Sequence, residues 1–357
     1  KRSCANFGND SNLHIMTFHK LVKKIYEECL HARCADNIAT PEEIQNCINL
    51  VKSGKLKLRF KAIFIDEVQI FDPQYLELCY LLLEDAEDNT FLMAGDLNQT
   101  VRKKSRRGDV PWKKIAGVTL DFTGRVKYIR KNYRNSKQIG LYLCHMLQHM
   151  NERMKMLNLI DFKELEYDSF EVGETKSLAL NVKTGIGRMD ITKKTVDAIK
   201  KIAEKYKLSY SEIAVLFPYK QHDRIRYYNL YWLRQALDAE DIPYSMITSS
   251  RDGIFERKRY SDTNGVVLST IDSSLGLDFK AVIVTGLYPY NYIYGDDFYK
   301  KEISSWNTIK GMNDDDQLQV QSQMRAIYTA CSRARDVLYV LSDLKPGSPM
   351  EEILKNR

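Results

Sequence analysis

Two hydrophobic rhythms alternate along the chain. Short continuous apolar runs of strand length appear at "KAIFIDEV" (61–68), "NTFLMAGD" (89–96), "EIAVLFP" (212–218), "GVVLSTID" (265–272), "KAVIVTGL" (280–287) and "DVLYVLSD" (336–343). "NLHIMTF" (12–18) and "RVKYIR" (125–130) read as further short strands. Between them lie stretches with helical spacing: "HKLVKKIYEECLHA" (19–32), "TPEEIQNCINLVKSG" (40–54), "DPQYLELCYLLLEDA" (72–86), a segment from Ser136, "KKTVDAIKKIAEKYK" (193–207), "YYNLYWLRQALDAE" (227–240) and "MRAIYTACSRA" (324–334). Thr40 and Asp72 stand as caps, each followed by a proline in the first turn, and Gly54 lies just past the end of its helix. Strands that alternate with helices predict an α/β fold with parallel sheets covered on both faces.

The length of 357 residues suits two such domains better than one. The pattern loses its period over "TVRKKSRRGDVPWKKIAGVTLDF" (100–122), which places the expected division at 1–110 and 111–357. Composition is that of an ordinary globular chain, 44% apolar and 28% charged. No run reaches the roughly 18 apolar residues of a membrane span, so no membrane partner is expected. Cys4, Cys29, Cys34, Cys47, Cys79, Cys144 and Cys331 are odd in number and irregular in spacing, which predicts free thiols and a cytoplasmic location. No CxxC pair supports zinc at "CLHARC", and His145 and His149, four apart, lack the glutamate of a HExxH site. The net charge of +7 is concentrated in "VRKKSRR" (101–107) and "RVKYIRKNYR" (125–134), stretches suited to phosphate backbones.

The candidate chemistry sits at strand ends. "AIFIDE" delivers Asp66 and Glu67 to the carboxyl end of one strand, and "MAGDLNQ" delivers Asp96 and Gln99 to another about thirty residues on. In open parallel sheets ligands bind at that edge. An apolar strand ending in two carboxylates is how phosphate-transfer enzymes place a magnesium ligand and a water-orienting base.

On these residues the chain resembles superfamily 1 helicases of the UvrD/Rep type. "FIDEVQ" is similar to their motif II (DExQ) and "GDLNQTV" to motif III (GDxxQ). "MTFHKL" (16–21) resembles the early TFH motif and "NYRNSKQI" (132–139) motif IV. "LSTIDSSLGLDFKAVIV" (268–284) resembles motif V and "IYTACSRARDVLYV" (327–340) motif VI. The resemblance covers residues 16 to 340 in the family's order. It implies two RecA-like parallel-sheet domains of the P-loop NTPase fold, the first truncated at its amino terminus, and an ATP-dependent motor that moves 3′ to 5′ on DNA.

By motif position, the resemblance assigns Asp66 to magnesium, Glu67 to the attacking water and Gln99 to the terminal phosphate. Arg134 and Arg333 become transition-state arginines, and Gly276 and Asp278 lie near the nucleotide. Thr17, Phe18, His19 and Thr270 become contacts to single-stranded DNA, with RNA as an alternative. Trp112 stands where family members place a base-stacking aromatic. The implied cofactors are ATP and magnesium.

The sequence departs from the family in three respects. No GxxxxGK[ST] phosphate loop occurs; "SGKLK" (53–57) lacks the first glycine and the Ser or Thr. The expectation is therefore a motor core whose phosphate loop comes from a missing amino-terminal segment or a partner subunit. The alternative is a catalytically incomplete module that binds nucleic acid or a partner without hydrolysis. In motif V, Asp272 and Leu275 replace the usual His and Lys. The accessory insertions are expected to be small or absent.

Overall fold

The computed structural model describes residues 12–27, 39–85, 88–96, 114–115, 118–119, 125–127, 129, 131–157, 171–218, 220, 228–247, 263–287 and 303–355. The chain divides into two compact units, Lys1–Asp96 with Asp109–Val126, and Leu97–Gly108 with Lys127–Arg357. The division expected at 110–111 falls outside the described residues.

The first unit contains helices α1 (Phe18–Ile25), α2 (Pro41–Lys52) and α3 (Pro73–Leu81). Strands β1 (Ala62–Ile65) and β2 (Thr90–Met93) pair in parallel, and a hairpin of β3 (Lys114–Ile115) and β4 (Val118–Thr119) pairs antiparallel. The capping signal at Thr40 is realised in full. Its hydroxyl accepts from the Glu43 amide (3.2 Å), and its own amide donates to the Glu43 carboxylate (2.7 Å). Ile44, Cys47, Ile48 and Val51 of α2 pack with Val22 and Ile25 of α1 and Leu78 of α3. "NLHIMTF" does not form a strand: residues 13–17 are irregular and mostly exposed, since nothing among the described residues gives them a ladder partner. The strand expected over 125–130 is likewise absent from its described residues; Lys131 makes a single parallel bridge to Glu171.

The second unit meets the α/β expectation. Its strands are β5 (Ala179–Lys183), β6 (Ile213–Phe217), β7 (Tyr244–Met246), β8 (Val266–Thr270), β9 (Phe279–Val284) and β10 (Ala334–Leu341). They form one six-stranded sheet in the order β5-β10-β9-β6-β8-β7, and every pairing is parallel. Helices α5 (Ile191–Tyr206) and α6 (Asn229–Asp238) cover one face. Helices α4 (Lys137–Met156), α7 (Trp306–Lys310), α8 (Asp314–Ser332) and α9 (Pro349–Lys355) belong to the other. Alternate residues of each strand enter the two cores: Ala214 and Leu216 face α4 and α8, whereas Ile213, Val215 and Phe217 face α5 and α6. Burial on both faces is why these strands read as unbroken apolar runs.

Candidate functional site

In the first unit, β1 and β2 run parallel with Ile65 opposite Met93, so the residues that follow both strands leave at one corner. The Ala94 amide donates to the Ile65 carbonyl (2.8 Å) and the Val68 amide to the Ala94 carbonyl (2.9 Å), which ties the two exits together. Asp66 is exposed, and its carboxylate accepts from the Glu67 amide (2.9 Å). Glu67 holds a left-handed backbone (φ 55°), a conformation that a non-glycine residue adopts at a cost and that recurs at functional sites.

The next side chain links the two segments. Gln69 is buried; its amide NH2 donates to the Glu67 carboxylate, and its carbonyl oxygen accepts from the Asp96 amide (3.1 Å). Gly95 makes room for it, since a Cβ there would stand 2.4 Å from the Gln69 oxygen. Gln69 is therefore the positioning residue of this corner, and sequence reasoning passed over it. Its signal was present: an amide between Val68 and Ile70, two residues after a carboxylate, had to be buried and had to find partners. Gln99 and Trp112 lie outside the described residues.

The early aromatic motif is built into the same unit's core. Phe18 stacks on Tyr75 (centroids 4.1 Å apart, planes 12° off parallel) and meets Phe71 edge-on. His19 Nδ1 accepts from the Ala39 amide (3.2 Å). Thr17 is exposed at the start of α1. Of these three, Thr17 is the one open to a ligand, and Phe18 and His19 are half-buried in the packing of α1.

In the second unit, three separate segments meet where β9 and β10 begin. The Phe279 amide donates to the Arg333 carbonyl (3.0 Å), and the Ser136 amide donates to the Arg335 carbonyl (2.9 Å). Asn135, buried, donates through its amide to the carbonyls of Ser332 (3.0 Å) and Ala334, one on each side of Arg333. Asn132 accepts from the amides of Arg134 and Asn135 (both 3.0 Å), which fixes the turn that carries the exposed Arg134. Asn132 and Asn135 thus stitch the segments around 134 and 333 together, a role that the Asn-x-x-Asn spacing hints at without naming its partners.

Arg333 differs from its expected posture. It is fully enclosed, and its guanidinium donates to the carbonyls of Thr329 (3.1 Å) and Leu277 (3.4 Å) and to the Ser332 hydroxyl (3.1 Å). The physical reason is that α8 ends at Ser332 and leaves carbonyls without intrahelical donors, which a buried guanidinium satisfies. The exposed guanidinium of this turn belongs to Arg335, 3.7 Å from the Asp278 carboxylate with both groups about half exposed. Gly276 has φ +73° and open space where a Cβ would go, so its backbone angle is what requires glycine. Thr270 is the last residue of β8, at the opposite end of the sheet, and its hydroxyl donates to Ser273 (3.0 Å).

Among the described residues no group of three or more His, Cys, Asp and Glu side chains could hold a metal. The Asp66 corner suits magnesium only in the form that phosphate-transfer sites use, with one carboxylate and the remaining ligands from phosphate and water. The thiols of Cys79, Cys144 and Cys331 are free, and no described helix is long and apolar enough to cross a membrane.

No protein-family model matches the chain, and no curated protein matches it. Among solved structures it is similar to the C-terminal domain of a possible DNA helicase from Lactobacillus plantarum WCFS1, at 16% identity and a TM-score of 0.32 over 63% of this chain and 95% of that one.

Proposed function

We propose that the chain is the body of an ATP-dependent motor of the superfamily 1 helicase type, two RecA-like units that move 3′ to 5′ along single-stranded DNA. The carrying observation is the Glu67–Gln69–Asp96 linkage, which joins the ends of two parallel strands behind an exposed aspartate. The order of the motif-like segments along the chain supports the same reading.

In this proposal Asp66 holds the magnesium of a magnesium–ATP complex, and Glu67 orients the attacking water. Gln69 sets the Glu67 carboxylate and reports its position to the backbone at Asp96, next to the segment with Gln99. Arg134 and Arg335 supply exposed positive charge toward phosphate. Arg333 holds the turn that presents them, and its own contact with phosphate would require it to leave its carbonyl partners. Bound magnesium would draw charge from the phosphate oxygens; the protein's part is orientation and fixed positive charge. The phosphate loop comes from a segment outside these residues or from a partner subunit.

A second reading is favoured by one observation, the lack of GxxxxGK[ST] in the 357 residues. In it the chain binds nucleic acid or a partner protein without hydrolysis. One experiment separates the two. ATP hydrolysis by the polypeptide as its source cell makes it, with and without single-stranded DNA, is compared with that of Glu67→Gln. The motor predicts strand-stimulated turnover that falls about a hundred-fold or more in the variant, the scale of losing general-base assistance. Equal turnover in both proteins would sink the assignment, and no turnover in either would favour the binding module.

A further inference from the structure

The six-stranded sheet ends on one side at β5. Among the described residues that strand pairs with β10 alone, so its outer row of amides and carbonyls has no described strand partner. Sheet edges are usually kept from pairing by proline, by charges or by bulges. The β5 sequence, "ALNVK", has no proline and no charge before Lys183. Leu178, just ahead of it, is 50% exposed. Among the described residues this edge is open to a further strand.

Helix α5 ends beside that edge. Tyr339 of β10 stands opposite Asn181 of β5, and it hydrogen-bonds with both Asn181 and Tyr206, the last residue of α5. The Lys205 ammonium lies 5.1 Å from the Tyr206 ring centre. Spacings of seven and then four residues put Lys194, Lys201 and Lys205 in one stripe along the helix, and all three are exposed. The other flank faces α6, where Lys200 pairs with Glu240 just beyond that helix. Asp197 and Glu204 are exposed on α5 as well, yet among the described residues no ion pair joins either to Lys194 or Lys201.

A row of lysines beside an unpaired edge selects its partner by charge. A second copy of β5 would bring its own lysines against these, and like charges oppose that pairing. A nucleic acid would meet the lysines but has no peptide groups for the strand's outer row. An acidic polypeptide offers both, and added strands gain affinity from main-chain hydrogen bonds. The rise of α5 sets Lys201 and Lys205 about 6 Å apart along its axis, close to the roughly 7 Å between alternate residues of a strand.

We propose that the second unit binds an extended acidic segment of a partner protein. The segment adds to the sheet as a strand along β5, and its carboxylates, on alternate residues, face the lysine stripe of α5. The ladder supplies affinity, and the charges supply selection. The site goes beyond the motor reading and stands whether or not the chain hydrolyses ATP.

The test is fluorescence anisotropy of a labelled peptide of alternating glutamate and valine, titrated with the full chain. The same peptide N-methylated throughout keeps its charges and loses its backbone donors. The chain is expected to bind the first about ten-fold or more tightly than the second, the scale of several lost hydrogen bonds. Lys194→Glu combined with Lys201→Glu should weaken binding about ten-fold and remove most of its salt dependence. Hydrogen exchange at the β5 amides should slow when the peptide binds. If the reversed variant melts below the parent, the two peptides on the parent chain carry the decision. Equal affinity for the two peptides would mean that charge alone holds them, and it overturns the added strand. Peptide binding that the folded reversed variant leaves unchanged overturns the role of the stripe. No peptide binding overturns the site; labelled oligothymidylate bound in its place, and lost in the variant, would assign the stripe to nucleic acid.

Discussion

The two parallel sheets of this chain are finished to different degrees. In the second unit the four central strands are buried on both faces, and Val215, Val267, Val282, Leu338 and Val340 are shut off from solvent. In the first unit two strands share one covered face, that of Ile63, Ile65, Phe91 and Met93, while Phe64 (67% exposed) and Leu92 (49% exposed) point outward. Parallel sheets are normally covered on both sides. The comparison teaches that the second unit contains its own stability, whereas the first leaves an apolar sheet face to solvent. The proposed chemistry divides along the same line, with carboxylates on the open sheet and arginines on the closed one.

The comparison can be broken by truncating one side chain in each sheet. Leu338→Ala, in the middle of β10, should cost about 2–5 kcal/mol, read as a fall in the denaturant midpoint. A loss below about 1 kcal/mol would mean that the six-stranded core is looser than described. Next in size, Asn135→Ala leaves the carbonyls of Ser332 and Ala334 without a donor, at about 1–3 kcal/mol. It should also raise hydrogen exchange at Phe279 and Ser136, whose amides bond within the same turn.

In the first unit, Gly95→Ala should push Gln69 off Asp96, seen as faster exchange of the Asp96 amide with little change in the second unit's melt. A slow Asp96 amide in that variant would show that Gln69 does not couple the two strand ends.

A smaller effect is titratable. Burial works to raise the Glu352 carboxyl, but hydrogen bonds from Trp306 (2.7 Å) and Arg153 (2.6 Å), with the arginine's charge, outweigh it and hold the group below the usual carboxylate range. A depressed acid contributes stability that is present above its unfolded pKa, about 4.3, and lost as pH falls through its folded value. The melt of the second unit should therefore fall on acidification through that window, and Glu352→Gln should flatten the fall. The smallest stability change expected is for Phe64→Ala, about 0.5 kcal/mol or less, because its ring is already mostly in water. A cost near that of Leu338→Ala would mean that the face is covered in solution.

Much of the fold was legible because burial leaves marks on sequence. The central strands β6, β8, β9 and β10 announced themselves as apolar runs, and α2 through its Thr40 cap, the proline after it and Gly54 past its end. Edge strands are less marked: β5 ("ALNVK") and β7 ("YSM") are not among the strands expected from the pattern, since half-buried strands at a sheet's border need no apolar run. "NLHIMTF" erred the other way, because β-propensity makes a strand only where a neighbour supplies hydrogen bonds.

The sequence by itself determined the alternation of strand and helix and the placing of Asp66 and Glu67 at a strand's end. These follow from local pattern and from the chemistry of residues that cannot be buried unpaired. Only the tertiary structure decided that Gln69 joins Glu67 to Asp96, that Asn135 clasps the backbone around Arg333, and that Arg333 is enclosed while Arg335 is exposed. Such choices depend on which unpaired carbonyl or amide from a distant segment arrives beside a side chain, and that is settled by the packing of elements remote in sequence.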